Sequence, residues 1–146
     1  MEKAVGVIVF GMMLFLSVAD IRSRKVPTTG LLLWGVVTIA YQGWMVWRGE
    51  IRIENVCLGA GVGILFLIIS RITEEAIGYG DSVAITILGA YLGFWGILEN
   101  LAGAFFISAI WSIWQVSIQK SKKSIPFFPF LTTGYLFLLI EQGGAL

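Results

Sequence analysis

The charges of this chain stand in clusters, and between them lie six runs without a single Asp, Glu, Lys or Arg: residues 4–19, 29–47, 56–69, 83–98, 101–118 and 126–140. A helix needs about 20 residues, rising about 1.5 Å each, to cross a hydrocarbon core of about 30 Å. Runs of 14 to 19 residues must therefore extend into their flanks or thin the bilayer, which puts the residues at their ends near the hydrocarbon boundary. Lipid cannot satisfy the backbone edges of an open sheet, and no ten-residue alternation of a barrel repeats along the chain. The expected fold is all-α: a polytopic membrane protein, a bundle of six transmembrane helices forming a single domain over residues 1–146.

The composition agrees. Apolar residues make up 58% of the 146 and charged ones 13%, which does not describe a water-soluble domain of this size. A net charge of +1 argues against nucleic acid as a partner, because a phosphate-binding surface needs a concentrated excess of Lys and Arg. Cys57 is the single cysteine, which excludes an intrachain disulfide and a thiolate cluster for metal. The absence of histidine removes the serine and cysteine triads that depend on it, and histidine-ligated zinc with them. No metal and no cofactor is expected.

Six spans place both termini on one side and loops 1, 3 and 5 on the other. Those loops carry Arg22, Arg24, Lys25, Arg71, Lys120, Lys122 and Lys123, whereas the other side carries Lys3, Arg48 and Arg52. The excess of basic residues makes the odd loops cytoplasmic and the termini external. The "SVA" before Asp20 resembles a cleavage site for a signal peptide, but Glu2 in the n-region and the export of a basic loop that cleavage would require argue for a retained first span.

The acids then separate by side. Asp20, Glu74, Glu75 and Asp81 fall on the cytoplasmic face, and Glu2, Glu50, Glu54, Glu99 and Glu141 on the outer one. Asp20 closes the first span and Asp81 opens the fourth, so two aspartates reach one membrane depth from different helices. Each alone has a bland reading: Asp81 as the N-cap of its helix, Asp20 as an interfacial charge paired with Arg24 at i+4. Together, in a chain otherwise apolar at that depth, they mark a site, because ionisable groups near hydrocarbon are costly. Two carboxylates that share a proton supply one base and one acid. The base takes a proton from water as it attacks a peptide carbonyl; the acid protonates the oxyanion and then the leaving amine.

Gly78, Tyr79 and Gly80 precede Asp81 in "GYGD". The glycines permit positive φ and the close approach of another chain, so an extended substrate is expected to pair there like an added strand; a turn with a helix start is the plainer alternative. Glu74 and Glu75 are candidate contacts for a basic peptide, or simply a solvated loop. Lys120, Lys122 and Lys123 set topology and suit anionic lipid. Gly59 with Gly63, and Gly89 with Gly93, have the spacing of close helix crossings. The six tryptophans read as interfacial anchors or bundle filler, and Pro126 and Pro129 as a helix start.

"GYGD" at 78–81, "DIRSRKVP" at 20–27 and "IPFFPFL" at 125–131 together resemble, in order and in membrane position, the type IV prepilin peptidases, polytopic aspartic proteases of the GxGD class. The resemblance covers most of the chain. It implies that Asp20 and Asp81 are catalytic, that they face the cytoplasm, and that the substrate is a pilin-like precursor whose short basic leader is cut off before its hydrophobic helix. Family members commonly have lysine two positions after the motif aspartate, where this chain has Val83, and asparagine after an isoleucine-proline pair, where it has Val26, Pro27 and Thr28. Longer relatives add a cysteine-rich cytoplasmic region and a methyltransferase activity. By this resemblance the chain looks like the minimal, peptidase-only form of Tad or Flp pilus systems. Other classes also use intramembrane acids, and a small proton-coupled transporter or a non-catalytic pilus-assembly subunit are the alternatives.

Overall fold

The computed structural model describes residues 2–23, 27–73, 78–118 and 127–144. Among these, five helices and no strand occur: α1 (Glu2–Ser23), α2 (Thr28–Trp47), α3 (Ile53–Ile72), α4 (Tyr79–Ile118) and α5 (Phe128–Gly144). The all-α expectation is met. Four segments are long and apolar enough to cross a membrane, Ala4–Arg22, Thr28–Trp47, Ile53–Ile72 and Tyr79–Ser117, with a shorter apolar stretch at Phe128–Glu141. Large apolar side chains such as Phe15, Ile39, Leu65 and Phe106 point outward, as they do where the surrounding solvent is lipid. Cys57 is exposed on α3.

The sequence places a boundary at Glu99 and Asn100, between runs 83–98 and 101–118; the structure places it elsewhere. Helix α4 runs straight through both residues and breaks at Gly93, with φ 75° and ψ −177°. A charge sets the depth of a helix in lipid and does not end the helix, whereas a positive φ does and favours glycine. Asn100 is fully buried on the far side of that break. The turn between α2 and α3 has the same local cause: Gly49 at φ 72° closes α2, with its N–H donating to Val46 O and the Glu50 N–H to Met45 O, each at 3.0 Å.

The chain forms two compact units, Met1–Arg24 with Glu99–Leu146, and Lys25–Leu98. In the second, α3 lies antiparallel to the first part of α4. A Cβ on Gly59 would overlap the Gly89 carbonyl, one on Gly89 the Gly59 carbonyl, and one on Gly63 the backbone of Thr86. These are the crossings that the four-residue glycine spacing predicts. Helix α2 runs alongside the same part of α4 in the parallel sense: Gly35 meets Ile87, and the Gln42 amide donates to Ala90 O and Tyr91 O, both at 2.7 Å. Asn55 stands against Gly93 and accepts the Phe94 N–H at 3.2 Å. Gln42 thus closes the carbonyl end before the break and Asn55 the N–H end after it, satisfying groups that every helix end leaves orphaned.

In the first unit, α1 and α5 are antiparallel. Tyr135 Oη donates to Gly6 O at 3.3 Å and Thr132 Oγ1 to Met13 O at 3.5 Å. The part of α4 after the break joins them through Asn100, whose amide, oriented to suit its neighbours, donates to Leu131 O at 3.3 Å and accepts from Tyr135 N at 3.0 Å. Gly134 is the small residue that lets Asn100 come so close, its absent Cβ leaving room for the Asn100 carbonyl.

Candidate active site

Asp20 sits in the last turn of α1 on the face already buried by Gly6, Val9, Met13, Leu16 and Ser17, a stride of three and four residues. Its residual exposure is 7%, so the carboxylate is a part of the helix's packed stripe. The backbone N–H of Phe128 donates to it. Phe128 opens α5, where N–H groups have no partner in their own helix. Pro129 has no N–H to offer, and the Phe130 and Leu131 N–H groups donate to Phe127 O at 3.0 and 3.2 Å. That leaves the Phe128 amide for Asp20, with the positive end of the α5 dipole behind it. Phe128 and Leu131 are fully buried around the contact. The i+4 partner considered for Asp20, Arg24, lies outside the described residues, as do Lys120, Lys122, Lys123 and Pro126.

Asp81 is half-buried in the first turn of α4. It is the third residue of that helix, so the N-cap reading is corrected: the residue before the helix is Gly78, whose carbonyl accepts the Ser82 N–H at 3.1 Å and the Ser82 hydroxyl at 3.3 Å. Ser82 is fully buried and lies 3.4 Å from Phe66 O, which ties this end of α4 to α3. A Cβ at Gly78 would stand 3.0 Å from Asp81 Oδ2. Gly78 therefore matters for space. Positive φ, expected for Gly78 and Gly80, occurs among the described glycines at Gly49 and Gly93 instead. Tyr79 and Gly80 are helical, so they present no free strand edge to an extended peptide, and Tyr79 stands exposed beside the carboxylate turn. Glu74 and Glu75 lie outside the described residues.

The structure thus brings Asp81 together with Gly78 and Ser82 in one unit, and Asp20 together with Phe128 in the other. Among the described residues no group of three His, Cys, Asp or Glu is arranged to hold a metal ion. The Phe128 amide went unseen in the sequence because a backbone donor has no residue signature. The proline-rich "IPFFPF" was nonetheless a usable sign, since it marks a helix start with few N–H groups to spare.

A model of the type IV leader peptidase family matches residues 7–113, a stretch that includes Asp20 and the whole of "GYGD". The chain is 29% identical over 144 residues to a prepilin leader peptidase/N-methyltransferase of Pectobacterium carotovorum subsp. carotovorum; the match covers 94% of this chain and 51% of that protein. The chain thus spans about half the length of the curated relative that it matches. No solved structure matches it.

Proposed function

Since this chain belongs to the type IV leader peptidase family, we propose that it is a multi-pass membrane endopeptidase that removes the short leader from pilin-like precursors. Its residues 1–146 form one peptidase domain of the GxGD aspartic type in a bacterial or archaeal cytoplasmic membrane. The observation that carries the reading is Asp20: a carboxylate on the buried stripe of an apolar helix, fixed by the amide that opens α5, within the stretch that the family model matches.

Asp20 and Asp81 act as a dyad on one water molecule. One carboxylate draws the proton from the water as its oxygen attacks the scissile carbonyl. The other, protonated, gives its proton to the oxyanion; the tetrahedral intermediate then collapses as the first carboxylate passes water's proton to the leaving nitrogen and the second takes a proton back from a hydroxyl of the intermediate. Phe128 orients Asp20, and Gly78 leaves the Asp81 carboxylate room beside its helix start. Tyr79 and Gly80 border the substrate path, while Glu74 and Glu75 attract the basic leader.

The chain crosses the membrane six times. Forty helical residues in α4 would run about 60 Å if straight, twice the hydrocarbon thickness, and the break at Gly93 divides them into two crossings. With α1, α2, α3 and α5 these make six, and the excess of Lys and Arg in the odd loops supports a cytoplasmic side for both aspartates.

The test is cleavage of a pilin precursor by purified protein in liposomes, comparing the native chain with Asp20→Asn and Asp81→Asn. Both substitutions should abolish leader release while the protein remains folded. Full cleavage by either would reject the dyad, and no cleavage by the native chain with any plausible precursor would favour a transport or assembly role.

A further inference from the structure

Helix α2 is apolar in bulk, yet three of its buried residues are polar-tipped and share one face: Trp34, Thr38 and Gln42, at i, i+4 and i+8, exposed 0%, 3% and 4%. Their Nε1, Oγ1 and Oε1 atoms are buried and have no hydrogen-bond partner among the described residues. Buried polar atoms are seldom left so.

The local escapes are closed. Thr86, Ser117, Thr132 and Thr133 each turn their hydroxyl back to the carbonyl four residues earlier, at 2.8 to 3.0 Å. Thr38 makes no such bond, and its Oγ1 is left without a partner among the described residues. Gln42 cannot rotate its amide to hide Oε1, because its Nε2 is committed to Ala90 O and Tyr91 O. In order along the helix the free atoms are a donor, a hydroxyl that both donates and accepts, and an acceptor.

Residues four apart on a helix are separated by about 6 Å of rise. Two hydrogen bonds of about 2.9 Å that meet near the tetrahedral angle at one water oxygen span about 4.7 Å, within reach of side-chain atoms that lean toward each other from successive turns. We infer that Trp34, Thr38 and Gln42 form a water-binding seam on the inner face of α2, with one molecule bridging Trp34 to Thr38 and a second bridging Thr38 to Gln42. The indole N–H donates to the first water and the second donates to the amide oxygen, so every free atom gains a partner. At its Gln42 end the seam meets α4 at Ala90 and Tyr91, just before the helix break. Water held there does not depend on peptidase activity.

Hydroxyl-radical footprinting by X-ray radiolysis of the full chain in nanodiscs tests this, since radicals formed from bound water oxidise the side chains next to it. After correction for intrinsic reactivity, Trp34 should be oxidised several-fold faster than Ile85 and Leu88, which are equally buried. Thr38→Val, which removes the shared hydroxyl at nearly constant volume, should bring Trp34 down to their rate and leave exposed Trp95 unchanged. Trp34 protected like Leu88 in the native chain would overturn the inference, and so would oxidation that Thr38→Val leaves intact. Should that variant fail to fold, the native rate decides alone.

Discussion

Both compact units use side-chain-to-backbone hydrogen bonds between helices, from Gln42 and Asn55 in one and from Tyr135, Thr132 and Asn100 in the other, and they differ in how much of one helix pair is in backbone contact. In Lys25–Leu98 the backbones of α3 and α4 touch, because Gly59, Gly63 and Gly89 have no side chains to separate them. In the unit that joins α1 to α5, side chains reach across to backbone: Tyr135 to Gly6, Thr132 to Met13, Asn100 to Leu131 and Tyr135. Neither device relies on the hydrophobic effect, which gives little between helices already in lipid. Each unit also carries one aspartate. Asp20 is held by a hydrogen bond from a backbone amide, whereas Asp81 lies beside a glycine that makes room for it.

The largest effect should come from neutralising either acid. Asp20→Asn and Asp81→Asn are each expected to lower leader cleavage by about 10²–10⁴-fold, the range of acid–base contributions, with thermal stability nearly kept. A much smaller loss at one of them would assign the chemistry to a single unit. Next comes the glycine crossing. Gly89→Leu has to displace the Gly59 backbone and should cost more than about 3 kcal/mol, seen as a large fall in melting temperature in detergent. Gly103→Ala, in the other unit, would place its Cβ 3.8 Å from Gly134 Cα, an ordinary contact, and should leave the melting temperature unchanged. Equal effects would dissolve the contrast between the units.

Gly78→Ala should sharpen it further. Its Cβ would press on Asp81 Oδ2, so cleavage should fall about tenfold, equivalent to about 1.4 kcal/mol of barrier, while the melting temperature stays put. A change in stability with activity intact would make Gly78 a folding residue. The smallest effect belongs to Tyr135→Phe, which removes the 3.3 Å bond to Gly6 and should cost about 0.6 kcal/mol, the average for such bonds within membranes.

The same contrast decides what the sequence could reveal. Apolar runs and glycines four apart are patterns of side chains, and both translate directly into helices and crossings. The break in α4 was misplaced because Glu99 looks like a span end, while the deciding property, the φ of Gly93, depends on Asn55 and Gln42 from other helices. Both amides were visible within or beside the apolar runs, but a lone polar residue does not announce its partner. The aspartates were legible as exceptions to an apolar rule. Their surroundings were legible only in part: the glycine beside Asp81 is a residue, and the donor to Asp20 is a main-chain amide. Burial of Asp20 was within reach, since it continues the stride of Val9, Met13 and Leu16.

The central claim is that one acid from each unit acts on the same water. Asp20→Cys combined with Asp81→Cys, in a Cys57→Ser background, measures it directly by oxidative cross-linking in native membranes, because a disulfide forms only when the two Cα atoms come within about 7 Å. A rapid intrachain cross-link, absent when Asp20→Cys is paired with Glu99→Cys instead, is the predicted result. No cross-link under conditions that oxidise other close cysteine pairs would contradict the dyad.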